Sequence, residues 1–118
     1  MLSYKNRFHG HGSLRYVQRN GSVRRSLEMQ LRYLENPRRK DSRFAVVVSK
    51  KVAKSAVTRN RIRRRVYEII RTELLAAGGV YDIVLSINSD KAAIIDSEIL
   101  RTSILALFNT AGIYKNKP

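Results

Sequence analysis

The stretch Arg43–Ile70 reads RFAVVVSKKVAKSAVTRNRIRRRVYEII, and its apolar period changes in the middle. The first ten residues form a short valine-rich run of the kind that builds a central strand. From Val57 onward the period is helical. Ile62, Val66, Ile69, Ile70, Leu74 and Ala77 recur at three- and four-residue steps and make one stripe. The spacing predicts a helix over residues 57–77, ended by Gly78-Gly79. Five arginines, Arg59, Arg61, Arg63, Arg64 and Arg65, fall within seven positions of it. On a wheel of about 100° per residue, Asn60, Arg61, Arg64, Arg65, Glu68 and Arg71 lie opposite the stripe. Arg59 and Arg63 lie nearer its edge, where their stems can run outward to water.

A helix N-terminus already carries the positive pole of the dipole and unpaired N–H groups. Acids normally sit there. A run of Arg works against folding alone and suits the gripping of phosphates, which the forked guanidinium binds through paired hydrogen bonds. The whole chain agrees. Its formal net charge is +15 over 118 residues, a balance that implies a polyanionic partner, most often nucleic acid. Residues 1–65 hold 19 of the 24 Lys and Arg against only Glu28, Glu35 and Asp41. The remainder has five bases and six acids and reads as an ordinary scaffold.

Working outward, residues 1–12 are polar and are expected to be extended or loosely held. Ser13 is a candidate cap for a helix of about two turns, LRYVQRNG, stopped at Asn20-Gly21. From Val23 to Leu34 the pattern alternates, with Leu27, Met29, Leu31 and Tyr33 on one face, as in a half-buried strand. The basic loop ENPRRKDS follows, and the economical pairing joins this strand to the valine run through it. VYDIVLSI is a further strand. Leu100, Ile104, Leu107, Phe108 and Ala111 then mark a last helix, stopped by Gly112, with a Lys-rich end expected to fray. The result is one α+β domain over residues 1–118, with helices packed on a small sheet and residues 1–12 and 114–118 flexible.

Cysteine is absent, which excludes disulfides and thiolate metal sites. No stretch suits a signal peptide or a membrane span, so a cytoplasmic protein is expected. His9-Gly10-His11 lacks the further ligands of a metal site. Glu68 reads as an ion-pair partner of Arg64 or Arg65 rather than a general base, and neither it nor Glu73 belongs to a catalytic constellation. The residues Arg38, Arg39 and Lys40 fit a solvated turn or a phosphate-touching patch equally well. Composition leaves two other classes open: an architectural or ribosomal nucleic-acid-binding protein, and a nuclease with its own active site.

The segment SKKVAKSAVTRNRIRRRVYE resembles the signature of the protein subunit of bacterial ribonuclease P, in which S-K-K precedes R-N-R-x-[KR]-R on a helix. Asn6–Phe8, Gly21-Ser22, YDIVL and LFNTAGIYK fall where that family has counterparts, so the resemblance covers nearly the whole chain. It implies the order α-β-β-β-α-β-α with a left-handed β-α-β crossover. It implies a partner of a catalytic RNA that removes the 5′ leader from precursor tRNA, an endonuclease whose magnesium ions are held mainly by the RNA. No catalytic residue, no protein-bound metal, no membrane contact and no obligate protein partner are implied. Carried over, Lys50, Lys51, Lys54, Arg59, Asn60, Arg61, Arg63, Arg64 and Arg65 should contact the RNA subunit. Ser49 matches the serine at the strand end, and Ala53 stands where the family often has glycine. The leader cleft should be lined by Leu14, Gln18 and Arg32, with Tyr16, Tyr33 and Arg15 at or near it and Arg19 and Arg24 close by. Leu14, Gln18 and Arg32 stand where the family commonly has aromatics. Charge is therefore expected to replace some of the stacking on unpaired bases.

Overall fold

A computed structural model describes residues 2–75 and 79–113. After a single 3-10 turn at Tyr4–Asn6 come α1 (Gly12–Asn20), β1 (Ser22–Arg25), β2 (Met29–Glu35), β3 (Arg43–Val48), α2 (Ala56–Ile69), β4 (Tyr81–Ile87) and α3 (Ser97–Thr110). The order α-β-β-β-α-β-α is the expected one. The sheet runs β1-β2-β4-β3, with β3 and β4 parallel and the other pairs antiparallel.

Three strand expectations are corrected. The alternating segment Val23–Leu34 is a hairpin, not one strand. The Ser26 N–H donates to the Met29 carbonyl at 2.9 Å, and Leu27 sits at the tip, 96% exposed. Hairpin pairing couples Arg24 to Leu31 and Val23 to Arg32, so parity reverses between the two strands. The valine run does not pair with β2. The strand β4 lies between them, and its residues Asp82–Leu85 are buried in succession, as in a central strand covered on both faces. The valine run is thus an edge strand. Its outer side is covered by a bridge from Arg7 to Phe44 and by the Tyr67 hydroxyl, which accepts the Val46 N–H at 3.1 Å.

One face of the sheet carries the core. Leu31, Phe44, Val46, Ile83 and Leu85 meet Ile62, Val66 and Ile70 of α2 and Ile104 and Phe108 of α3, all nearly or fully buried. The α2 stripe continues through a π-helical turn at Ile70–Leu74, where the Leu75 N–H reaches the Ile70 carbonyl at 3.2 Å. A four-residue apolar spacing drifts by about 40° per turn of α-helix. The wider turn takes up that drift and keeps Leu74 in the core beside Ile70. Ser55 caps α2 through its hydroxyl, and Asp96 caps α3. Gly112, at φ +74°, ends α3 as expected. Ala77, Gly78 and the Lys-rich end lie outside the described residues.

The opposite face carries α1. Val17 and Val84, each 1% exposed, lie on these facing surfaces. The helix starts at Gly12, so Ser13 lies inside it rather than capping it, and its hydroxyl accepts from Arg43 at 3.4 Å. Gly21 is needed for close approach: a Cβ there would stand 2.6 Å from the Val17 carbonyl oxygen and 3.0 Å from that of Tyr33. Beneath the start of α1, Arg43 and Asp82 form a bidentate pair at 2.8 and 2.7 Å. Asn36 donates to the same carboxylate at 3.0 Å, and the Arg43 guanidinium lies 4.8 Å from the Phe8 ring centroid. The expectation of a loosely held N-terminal segment is corrected for residues 2–8. Leu2 enters the core, and the buried Asn6 donates to the Ser42 carbonyl at 2.9 Å.

Arg43→Met leaves the Asp82 carboxylate buried without its cation and should cost about 3–5 kcal/mol in urea unfolding. Adding Asp82→Leu should recover most of that loss. A double variant no more stable than Arg43→Met would show that the pair is not the cause.

Candidate nucleic-acid interface

Strands β3 and β4 run the same way, so the sheet has two distinct ends. At the end where β3 finishes, Ser49 starts a turn that carries Lys50, Lys51 and Lys54, all exposed, into the N-terminus of α2. The arginines that follow divide into two sets. Arg59 donates to the carbonyls of Ala53 and Lys54, both at 2.9 Å, and so ties down the lysine turn. Arg65 donates to the Ala92 carbonyl at 2.7 Å, to the Ile95 carbonyl and to the Ser97 hydroxyl, fastening α2 to the segment before α3. Arg63 is held against the Asn60 side chain. Arg61 and Arg64 are exposed and donate to no other described residue. Arg61, Arg64 and the three lysines are the cations left open to a partner.

Glu68 does not pair with Arg64 or Arg65. Arg71, one turn on, takes it at 2.5 and 3.1 Å, because Arg65 is already held by carbonyls. Hydrogen bonding to Arg71 holds the Glu68 carboxyl below its ordinary value. Glu73 is bound by Arg101 at 2.7 Å, which also reaches Glu98. Both carboxylates are therefore structural. His9 stacks on Tyr4 with ring centroids 3.7 Å apart and donates through Nε2 to the Tyr4 carbonyl. Among the described residues no three His, Cys, Asp or Glu side chains gather to hold a metal.

The α1 face of the sheet continues this surface. Along it lie Gln30, Arg32 and Leu34 of β2, Val84 and Ser86 of β4, and Ala45 and Val47 of β3. The helix covers the Arg32–Val84 row, leaving Gln30, Ser86 and Val47 half-buried on the side toward Lys50. Leu14 and Gln18 lie on that same flank of α1, about 60° and 100° from Val17 on the helical wheel. Arg32 donates to the Gln18 carbonyl at 2.7 Å. Leu14, Gln18 and Arg32 thus lie on the same flank of this face. Arg15 and Arg19 point outward from the crest of α1. Tyr16 lies about 100° from Val17 on the other flank, away from Gln18. Tyr33 is on the core face, edge-on to Tyr81 at 6.4 Å, and Arg24 joins it at 6.0 Å. Tyr33 follows Leu31 by alternation along β2, and the hairpin's reversed parity puts Arg24 there. It also puts Arg25, exposed and paired with Gln30, on the cleft face. Sequence reasoning missed Arg25, Gln30, Val47 and Ser86; only the strand pairing could have found them.

The fold and its basic end define a class: small, strongly basic α+β proteins with a β-α-β unit and one helix across the free face of the sheet. Among solved structures, a ribonuclease P protein of Staphylococcus aureus is similar over 93% of this chain and 98% of its own, with TM-score 0.81 and 18% identity. One of Thermotoga maritima is similar over 88% and 96%, with TM-score 0.76 and 22% identity. At such identities the likeness shows the fold. The family model Ribonuclease P matches residues 2–112. The chain belongs to the ribonuclease P protein family, the protein partner of an RNA subunit in an endoribonuclease of tRNA processing. A search of curated proteins gives no match.

Two measurements check the division of the cations. Arg65→Ala orphans two carbonyls and should cost about 1–3 kcal/mol of stability, whereas Arg61→Ala with Arg64→Ala should stay within about 0.5 kcal/mol per site. Equal losses would show that the division is wrong. Arg71→Ala should raise the Glu68 pKa in an NMR titration. A lowered folded-state value adds stability above the unfolded carboxylate pKa and loses it as pH falls through the folded value; an unmoved titration would show the two groups are uncoupled.

Proposed function

We propose that the chain docks on the catalytic RNA of ribonuclease P through Arg61, Arg64, Lys50, Lys51 and Lys54, and lays the 5′ leader of precursor tRNA in the adjoining cleft. The observation that carries this reading is the set of open cations at the head of α2, continuous with the half-buried sheet face beside Leu14 and Gln18. Arg59, Arg63 and Arg65 support the docking surface mainly by holding it in shape. Along the cleft, Arg25 and Arg32 supply charge, and Gln18, Gln30 and Ser86 supply hydrogen-bonding groups. With no aromatic on this flank of α1, the leader is held more by phosphate contacts than by stacking.

The chain acts as a non-catalytic subunit. Cleavage of the phosphodiester bond, with its magnesium ions, belongs to the RNA, and this chain's residues bind and orient the substrate. No further protein partner is required. No helix among the described residues is long and apolar enough to cross a membrane, and the partners proposed place the protein in the cytoplasm.

Reconstitution with the catalytic RNA should give 5′ cleavage of precursor tRNA, and RNA-free protein should give none after nuclease treatment. Arg61→Ala and Arg64→Ala should each weaken RNA-subunit binding by about 1–3 kcal/mol with native circular dichroism. Unchanged affinity in the double variant would remove the docking role. The affinity ratio of precursor to mature tRNA should fall with salt, by a log–log slope of about 0.7 per leader phosphate contact. A ratio flat in salt and indifferent to Arg32→Ala would show that leader binding uses other chemistry.

A further inference from the structure

The flank of α1 that bears Tyr16 faces a second groove. It has a volume of about 560 Å³ and is lined by Ser13, Tyr16, the segment Leu34–Arg38, and the Arg43–Asp82 pair at its floor. This groove is separate from the leader cleft. Tyr16 and Gln18 point about 200° apart around the helix. The Leu34–Asp82–Arg43 row marks the end of the sheet away from Lys50. Three features give the groove a chemistry. Tyr16 is 58% exposed, and its ring makes no hydrogen bond or aromatic contact with a described residue. The rim carries positive charge: Arg38 lines it, and Arg39 and Lys40, next in the chain, are exposed; of the two acids in the lining, Asp82 is already paired with Arg43 and Glu35 is exposed. The floor is rigid, since Arg43 and Asp82 are locked to each other and to Asn36 and Ser13.

We propose that this groove is a second binding site for an unpaired nucleotide of RNA. Its base stacks on Tyr16 and its phosphates lie against Arg38. The occupant is the part of the 5′ leader that has passed the first cleft and crossed α1. The open cations that meet the RNA subunit lie at the other end of the sheet, so a strand leaving the cleft over α1 is the RNA that reaches this end. An exposed ring between a cationic rim and a fixed floor is the arrangement that binds single strands without base-edge readout. The proposal rests on the leader reading above and adds a length requirement to it: only long leaders reach Tyr16.

The test is binding of precursor tRNAs with leaders of graded length to the reconstituted holoenzyme, carrying Tyr16→Ala, Tyr16→Phe, Arg38→Ala or Arg32→Ala. Tyr16→Ala should weaken long-leader substrates by about tenfold and leave short-leader substrates and mature tRNA unchanged. Tyr16→Phe should restore binding. Arg38→Ala should lower the log–log salt slope of long leaders by about 0.7. A Tyr16→Ala loss that is the same for mature tRNA, or that lies in RNA-subunit affinity, overturns the leader as occupant. No loss at any length, with Arg32→Ala still weakening leader binding, overturns the second site and leaves the first cleft standing. An unaltered holoenzyme that binds precursor and mature tRNA alike overturns both.

Discussion

The bidentate pair between Arg43 and Asp82 is the point at which the α1 face of the molecule is joined. Both side chains are about nine-tenths buried. Charges withdrawn from water in this way are tolerable only with good geometry and with their remaining hydrogen-bonding capacity satisfied. Here Asn36 from the β2–β3 loop, Ser13 from α1 and the Phe8 ring from the N-terminal segment supply it. Five parts of the chain, from Phe8 to Asp82, therefore meet on one ion pair. Without it the start of α1 would lose its tie to the sheet, leaving Val17 and the Arg32 bond to the Gln18 carbonyl to hold the helix.

The excess positive charge is handled in two ways. Where a guanidinium can reach free carbonyls, as Arg59 and Arg65 do, it serves as a cross-link between segments that share no sheet or helix ladder. Where none is within reach, as at Arg61 and Arg64, the charge stays in water and repels its neighbours. A polyanion would relieve that repulsion. The same residue type thus both builds the surface and supplies the charge left open on it.

Much of this was legible in the residues. The period change after Val48, the Ile62–Leu74 stripe and the Gly112 stop each reflect local chemistry, and each appears in the structure. What was hidden depends on pairing. A hairpin and a single long strand share the same alternation, so the faces of Arg24 and Arg25 could not be assigned until Ser26–Glu28 was seen to turn. The place of β4 between β2 and β3 is a choice among long-range partners. A helical wheel showed that Arg65 lies off the apolar stripe, but not that the carbonyls of Ala92 and Ile95 would be waiting there. The grouping of Leu14, Gln18 and Arg32 was suggested by the family resemblance alone, because none of the three is distinctive by itself.

The edges of the sheet bear on how the chain behaves before it meets its partner. At one edge the backbone of β3 is occupied by Arg7 and by the hydroxyl of Tyr67. At the other, β1 is only four residues long and carries two arginines. Neither edge offers a second copy a long, uncharged ladder to extend. A basic protein synthesised apart from its RNA must wait in solution, and its sheet is closed to strand-by-strand self-association while it does so.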